Sequence, residues 1–122
     1  MTENPRPAFS GDHTVLSLRG SLDFAGASQL RAQLTGVLQR GTSLLILDLS
    51  LVPACDAAGL AVLVGTQRRA RLAGIAVCLV DPSLPVWKVL RSTGLDRTFT
   101  ICDDRPSALA AGGPAQLAVS VA

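Results

Sequence analysis

Few side chains in this chain are of a type that does chemistry, and their spacing excludes most of what they could do. His13 is the sole histidine, and no Cys or Glu accompanies it at ligand spacing. Neither a metal site nor a histidine acid or base is therefore expected. Cys55, Cys78 and Cys102 form an odd set without a C-x-x-C pair, which fits a reducing compartment and offers no disulfide framework. There is no Gly-rich phosphate loop. No catalytic residue, metal or cofactor is expected. What remains is the turn Asp56-Ala57-Ala58-Gly59, which follows a strand-like run and opens a helix-like one. A carboxylate at that place is either a helix N-cap accepting backbone N–H groups or a charged group shaping an interface. Asp23, closing the loop Gly20-Ser21-Leu22-Asp23, has the same two readings, and Gly59 is read as a close-packing position.

The elements that must hold this turn are legible from periodicity. Ala8 to Ser10 and His13 to Arg19 flank Gly11-Asp12 as a short hairpin. From about Gly26 to Arg40, Ala27, Leu30, Leu34, Val37 and Leu38 recur at helical spacing, and Gly41 closes the run. Leu44 to Leu49 is almost continuously apolar, the pattern of a strand covered on both faces. A helix is predicted from about Ala57 to Ala73 with Leu60, Leu63, Val64, Gln67 and Ala70 on its core stripe, ended by Gly74. Ile75 to Val80 reads as a second buried strand, Leu84 to Thr93 as a helix closed by Gly94, Thr98 to Cys102 as a last strand, and 106–111 as a short terminal helix. Strands alternating with helices imply β-α-β crossovers. The fold class expected is α/β: one domain with a mixed sheet and about four helices, spanning 8–113. It has a polar lead-in at 1–7 and a docked or flexible tail at 114–122.

Composition narrows the function classes further. A chain of 122 residues with 48% hydrophobic and 16% charged residues builds one packed domain. With three Phe, one Trp and no Tyr, its core is aliphatic and it lacks stacking platforms for nucleic acid. A net charge of +2 demands neither DNA nor an acidic membrane. No apolar run reaches the ~20 residues that span a bilayer, since Asp48, Asp56, Arg68 and Asp81 interrupt every candidate. The N-terminus has no signal-peptide pattern. A cytoplasmic protein is expected, and the Arg-rich basic set suggests a bacterial source.

Gly20-Ser21-Leu22-Asp23, Leu45-Ile46-Leu47-Asp48-Leu49-Ser50, Asp56-Ala57-Ala58-Gly59-Leu60 and Leu90-Arg91-Ser92-Thr93-Gly94-Leu95, in that order and spacing, resemble the STAS family of anti-sigma factor antagonists and transporter domains. The resemblance runs from about Val15 to Cys102. It implies a domain without catalytic chemistry of its own that binds, when unphosphorylated, an anti-sigma factor of the serine-kinase type. It also implies a Ser or Thr phosphoacceptor in the turn, and that position falls here on Ala58, with Ala57 beside it. A phosphate there adds about −1.5 to −2 charge at the positive end of a helix. A methyl group cannot carry it, so no phosphorylation at Ala58 is expected. Ser50, Thr66, Ser92 and Thr93 are the nearby hydroxyls.

The partner surface expected from this reading comprises Asp23, Asp56, Ala57, Ala58 and Gly59, together with Ala61, Val62, Gly65, Thr66 and Arg69, which lie off the predicted core stripe of the following helix. The alternative for that helix face is coverage by neighbouring elements. Arg68, Arg69 and Arg71 read as a solvated face, Trp87 as half-buried, and Cys55 as a small buried filler or a redox-sensitive thiol. The alternative function is a STAS subunit of a membrane transport system, docking on a transporter ATPase or binding a small anion, lipid or nucleotide.

Overall fold

The computed structural model describes residues 8–10 and 13–102. The expected lead-in at 1–7, the terminal helix at 106–111 and the tail at 114–122 lie outside the described residues. Five strands form one sheet in the order β1-β2-β3-β4-β5: β1 (Ala8–Ser10), β2 (His13–Arg19), β3 (Leu44–Leu51), β4 (Ala76–Val80) and β5 (Thr100–Cys102). The first pair is an antiparallel hairpin, and β2 to β5 are parallel. Each parallel step crosses over through a helix: α1 (Ala27–Gln39), α2 (Ala57–Leu72) and α3 (Leu84–Ser92). The mixed α/β architecture read from the sequence is the one observed, with three α-helices and two 3-10 turns among the described residues; the fourth expected helix, at 106–111, is not among them.

Strand register decides which residues meet the helices. Leu16, Leu18, Leu45, Leu47, Leu49, Val77 and Leu79 share a cluster with Leu30, Leu34 and Val37 of α1, Leu60 and Leu63 of α2, and Val86 and Leu90 of α3. The alternate positions Val15, Leu44, Ile46, Cys78 and Val80 form a second, smaller cluster. Both sets are buried, which is why β3 and β4 read as continuous apolar runs without alternation. Helix ends follow the expected chemistry. The chain reverses after α2 and α3 at Gly74 and Gly94, at φ of +75° and +77°, a backbone region that strains other residues. Gln67 does not enter the core as a packing residue; its Nε2 donates to the Thr98 carbonyl at 2.7 Å, tying α2 to the approach of β5.

The loop and turn that face the β3–α2 junction

Asp56 is the N-cap of α2, in extended backbone, and its Oδ1 accepts from the Gly59 N–H at 3.0 Å. Its second oxygen does something that the sequence did not foretell. Oδ2 accepts from the backbone N–H of Phe24 at 3.1 Å, so one carboxylate caps a helix and anchors a loop 32 residues earlier. Asp23 caps that loop from its other side: its Oδ1 accepts from the Gly26 N–H at 3.1 Å, starting a 3-10 turn over Phe24–Gly26 that runs into α1.

The backbones of loop and turn are also paired. Leu22 and Cys55 form an isolated parallel bridge. The Leu22 N–H donates to the Ala54 carbonyl at 3.0 Å, and the Asp56 N–H donates to the Leu22 carbonyl at 3.0 Å. This pairing passes directly over Gly59. A Cβ at that residue would lie 2.7 Å from the Leu22 carbonyl carbon and 2.8 Å from the Leu22 Cβ, so only hydrogen fits. Loop and turn therefore form one unit, in which Asp23, Asp56, Ala57, Ala58 and Gly59 are brought together.

Hydrogen bonding fixes the charge state of Asp56. The Gly59 N–H holds its carboxyl below the usual carboxylate range, burial acts in the opposite sense, and the N–H groups of Phe24 and Ala58 add to the lowering. A depressed folded-state pKa contributes stability above the unfolded pKa of about 4 and loses it as pH falls through the folded value. Asn caps helices as well as Asp does, but its Nδ2 cannot accept from the Phe24 N–H, so Asp56→Asn removes the charge together with the second hydrogen bond. The expected result is that the urea midpoints of wild type and Asp56→Asn differ by a constant amount above about pH 5 and converge as pH drops below about 4. A gap that widens on acidification would contradict the assignment. Cys55, adjacent, is buried, and burial followed by the Asp56 charge pushes its thiol up to about 11. That suits the filler reading and disfavours a reactive thiolate.

On α2 the sequence reading needs correction at two places. Val62 and Thr66, expected on the docking face, are 2% and 0% exposed. The buried arc of α2 comprises Gly59, Leu60, Val62, Leu63, Thr66 and Ala70, wider than one stripe because the helix packs on α1 as well as on the sheet. The Thr66 hydroxyl donates to the Val62 carbonyl at 2.8 Å, which satisfies it internally and removes it as a kinase-accessible group. Ala57 and Ala61 are exposed, and Ala58 and Gly65 are half-buried. Arg69 is also half-buried and folds back along its own helix, with Nη2 at 3.4 Å from the Thr66 hydroxyl oxygen.

Phe24 is the functional candidate that sequence reasoning missed. It is 82% exposed, on the 3-10 turn that touches α2, with its backbone pinned by Asp56. The available signal was an aromatic immediately after the Gly-Ser-Leu-Asp loop in a chain with three Phe.

This architecture is that of STAS domains. A profile of the STAS domain matches residues 4–108, and the chain belongs to that family. Among solved structures, it is similar to a candidate anti-sigma factor antagonist from Thermotoga maritima, at 26% identity and a TM-score of 0.81, covering 87% of this chain and 92% of that one. An anti-sigma factor antagonist from Mycobacterium paratuberculosis is similar at 25% identity and a TM-score of 0.76, covering 88% and 92%. A sulfate transporter family protein from Wolinella succinogenes shares the fold at 22% identity and a TM-score of 0.75, covering 92% of each chain. No helix of the described residues is long and apolar enough to cross a membrane.

Proposed function

We propose that this chain is an anti-sigma factor antagonist whose complex is not controlled by phosphorylation at the turn. Its partner on this reading is an anti-sigma factor of the serine-kinase type, met in the cytoplasm by the domain over 8–113. The contact face consists of the Asp23 loop with Phe24, the turn from Asp56 to Gly59, and Ala61, Gly65 and Arg69 of α2. The reading has no catalytic step in this chain.

One observation carries the proposal: Ala58, at the second position of α2, presents a half-buried methyl group on a turn locked to the Asp23 loop. In an antagonist controlled at this place, a phosphate would add about −1.5 to −2 charge among free helix N–H groups, enough to disrupt an apolar contact by desolvation and bulk. Ala58 offers no oxygen for that step. Similarity to anti-sigma factor antagonists at 25% and 26% identity supports the class of partner.

Quantitative pull-down against a purified kinase-type anti-sigma factor tests it. Binding is expected to be the same with and without ATP, and Ala58→Ser is expected to make it fall on incubation with ATP. Absence of binding at micromolar concentration would transfer preference to the second reading, a subunit of a membrane transport system that docks on a transporter ATPase or binds a small ligand. That reading draws its support from the fold shared with a sulfate transporter family protein.

A further inference from the structure

A cleft of about 270 Å³ opens at the carboxyl ends of β4 and β5, lined by Asp81, Pro82, Leu84, Trp87 and Ile101. The volume falls below the roughly 300–1,000 Å³ of small-molecule sites, too little to enclose a nucleotide or lipid and enough for one long side chain. It lies outside the Asp56 turn and does not depend on the partner proposed there.

The lining selects the ligand. Asp81 is the one non-glycine residue among those described with positive φ, at 52°, and its N–H donates to the Cys102 carbonyl at 2.9 Å. The bond holds the first residue after β4 in a backbone region that costs most residues energy. Asp81 places a carboxylate among the lining residues, and among the described ones none is a cation. Trp87 supplies a half-buried indole wall. Leu84, 63% exposed at the start of α3, and Ile101 supply aliphatic surface. The nearby Ser83 hydroxyl does not compete for the site, because it donates to the Val52 carbonyl at 2.7 Å. A carboxylate, an indole and an aliphatic wall together match a planar cation on an apolar stem. Guanidinium pairs with carboxylates through a fork of donors and stacks on aromatic rings, whereas ammonium is compact and strongly hydrated. We infer that this cleft receives an arginine side chain presented by a protein partner.

Trp87 makes the inference measurable, since the chain has one Trp and no Tyr and its intrinsic fluorescence reports the cleft directly. The full chain is titrated with N-acetyl-arginine amide, and in parallel with N-acetyl-norleucine amide and tetramethylammonium at matched ionic strength. A saturable change with the arginine probe alone is expected. Asp81→Asn keeps a residue that tolerates the left-handed backbone while removing the charge, and is expected to weaken binding about tenfold or more. Asp81→Gly, which relieves the backbone altogether, provides the same test should the Asn variant lose its native circular dichroism. No saturable response to arginine, an equal response to the neutral probe, or unchanged affinity in a folded Asp81 variant would overturn the site. An equal response to tetramethylammonium would overturn the assignment to arginine.

Discussion

Gly59→Ala should cost this domain about 3 kcal/mol or more of stability, from the addition of one methyl group. The Cβ would meet the Leu22 backbone, with the carbonyl carbon at 2.7 Å, and backbone cannot rotate aside as a long side chain does. Relief requires separating the Leu22–Cys55 bridge from the helix start, which threatens the Asp56 to Leu22 hydrogen bond and the reach of Asp56 Oδ2 to the Phe24 N–H. In urea, with a slope of about 2 kcal/mol per molar, the midpoint should fall by on the order of 1.5 M. Gly36→Ala is the internal control. Gly36 is also helical, in α1, but a Cβ there meets nothing within 4 Å. That exchange removes only glycine's entropic penalty and should stabilise the domain by about 0.5–1 kcal/mol. If the two substitutions shift the midpoint alike, Gly59 is not where loop and turn close on each other.

The contrast between these two glycines also marks how far the sequence could be read. Segments whose buried residues form one periodic stripe or an unbroken apolar run were legible: Leu30, Leu34, Val37 and Leu38 fall on the inner face of α1, and Leu44 to Leu49 lie in a strand. The failures lie where burial spreads beyond one stripe or a contact joins distant segments. Val62 and Thr66 look surplus to a single stripe, yet α2 packs against α1 and the sheet together, so its inner arc takes both. Asp56 was recognisable as a cap because capping is local, three residues from donor to acceptor. Its second bond, to Phe24 across 32 residues, has no periodic trace. The same holds for the Leu22–Cys55 bridge, which is the reason Gly59 must be glycine. Local rules thus revealed the turn, and the family resemblance its missing hydroxyl and the place of Asp23, whereas the bonds that lock loop to turn, and Phe24 beside them, became visible only in three dimensions.

That loop carries the second large effect. Phe24→Ala should weaken binding to the proposed partner, a kinase-type anti-sigma factor, by about 30-fold, a loss of about 2 kcal/mol. A Phe side chain that is 82% exposed has nearly all its apolar surface left to bury in a complex. An aromatic side chain buries about 150–250 Å², and at about 25 cal/mol per Å² even half of that accounts for the figure. The substitution leaves the backbone N–H that binds Asp56 in place, so the stability of the free domain should stay within about 0.5 kcal/mol of wild type. Leu72→Ala provides the matched comparison. Leu72 is 90% exposed, but it lies at the far end of α2, about 22 Å from the turn at 1.5 Å per residue, and should leave binding unchanged. A charge at Ala58, introduced as Ala58→Glu, should also weaken the complex. Combined with Phe24→Ala its effect should be less than additive, because two side chains on one contact face lose the same interaction. Full additivity, or a Phe24→Ala variant that binds as tightly as wild type, would place the aromatic outside the interface and leave the Asp56 turn to carry recognition without it.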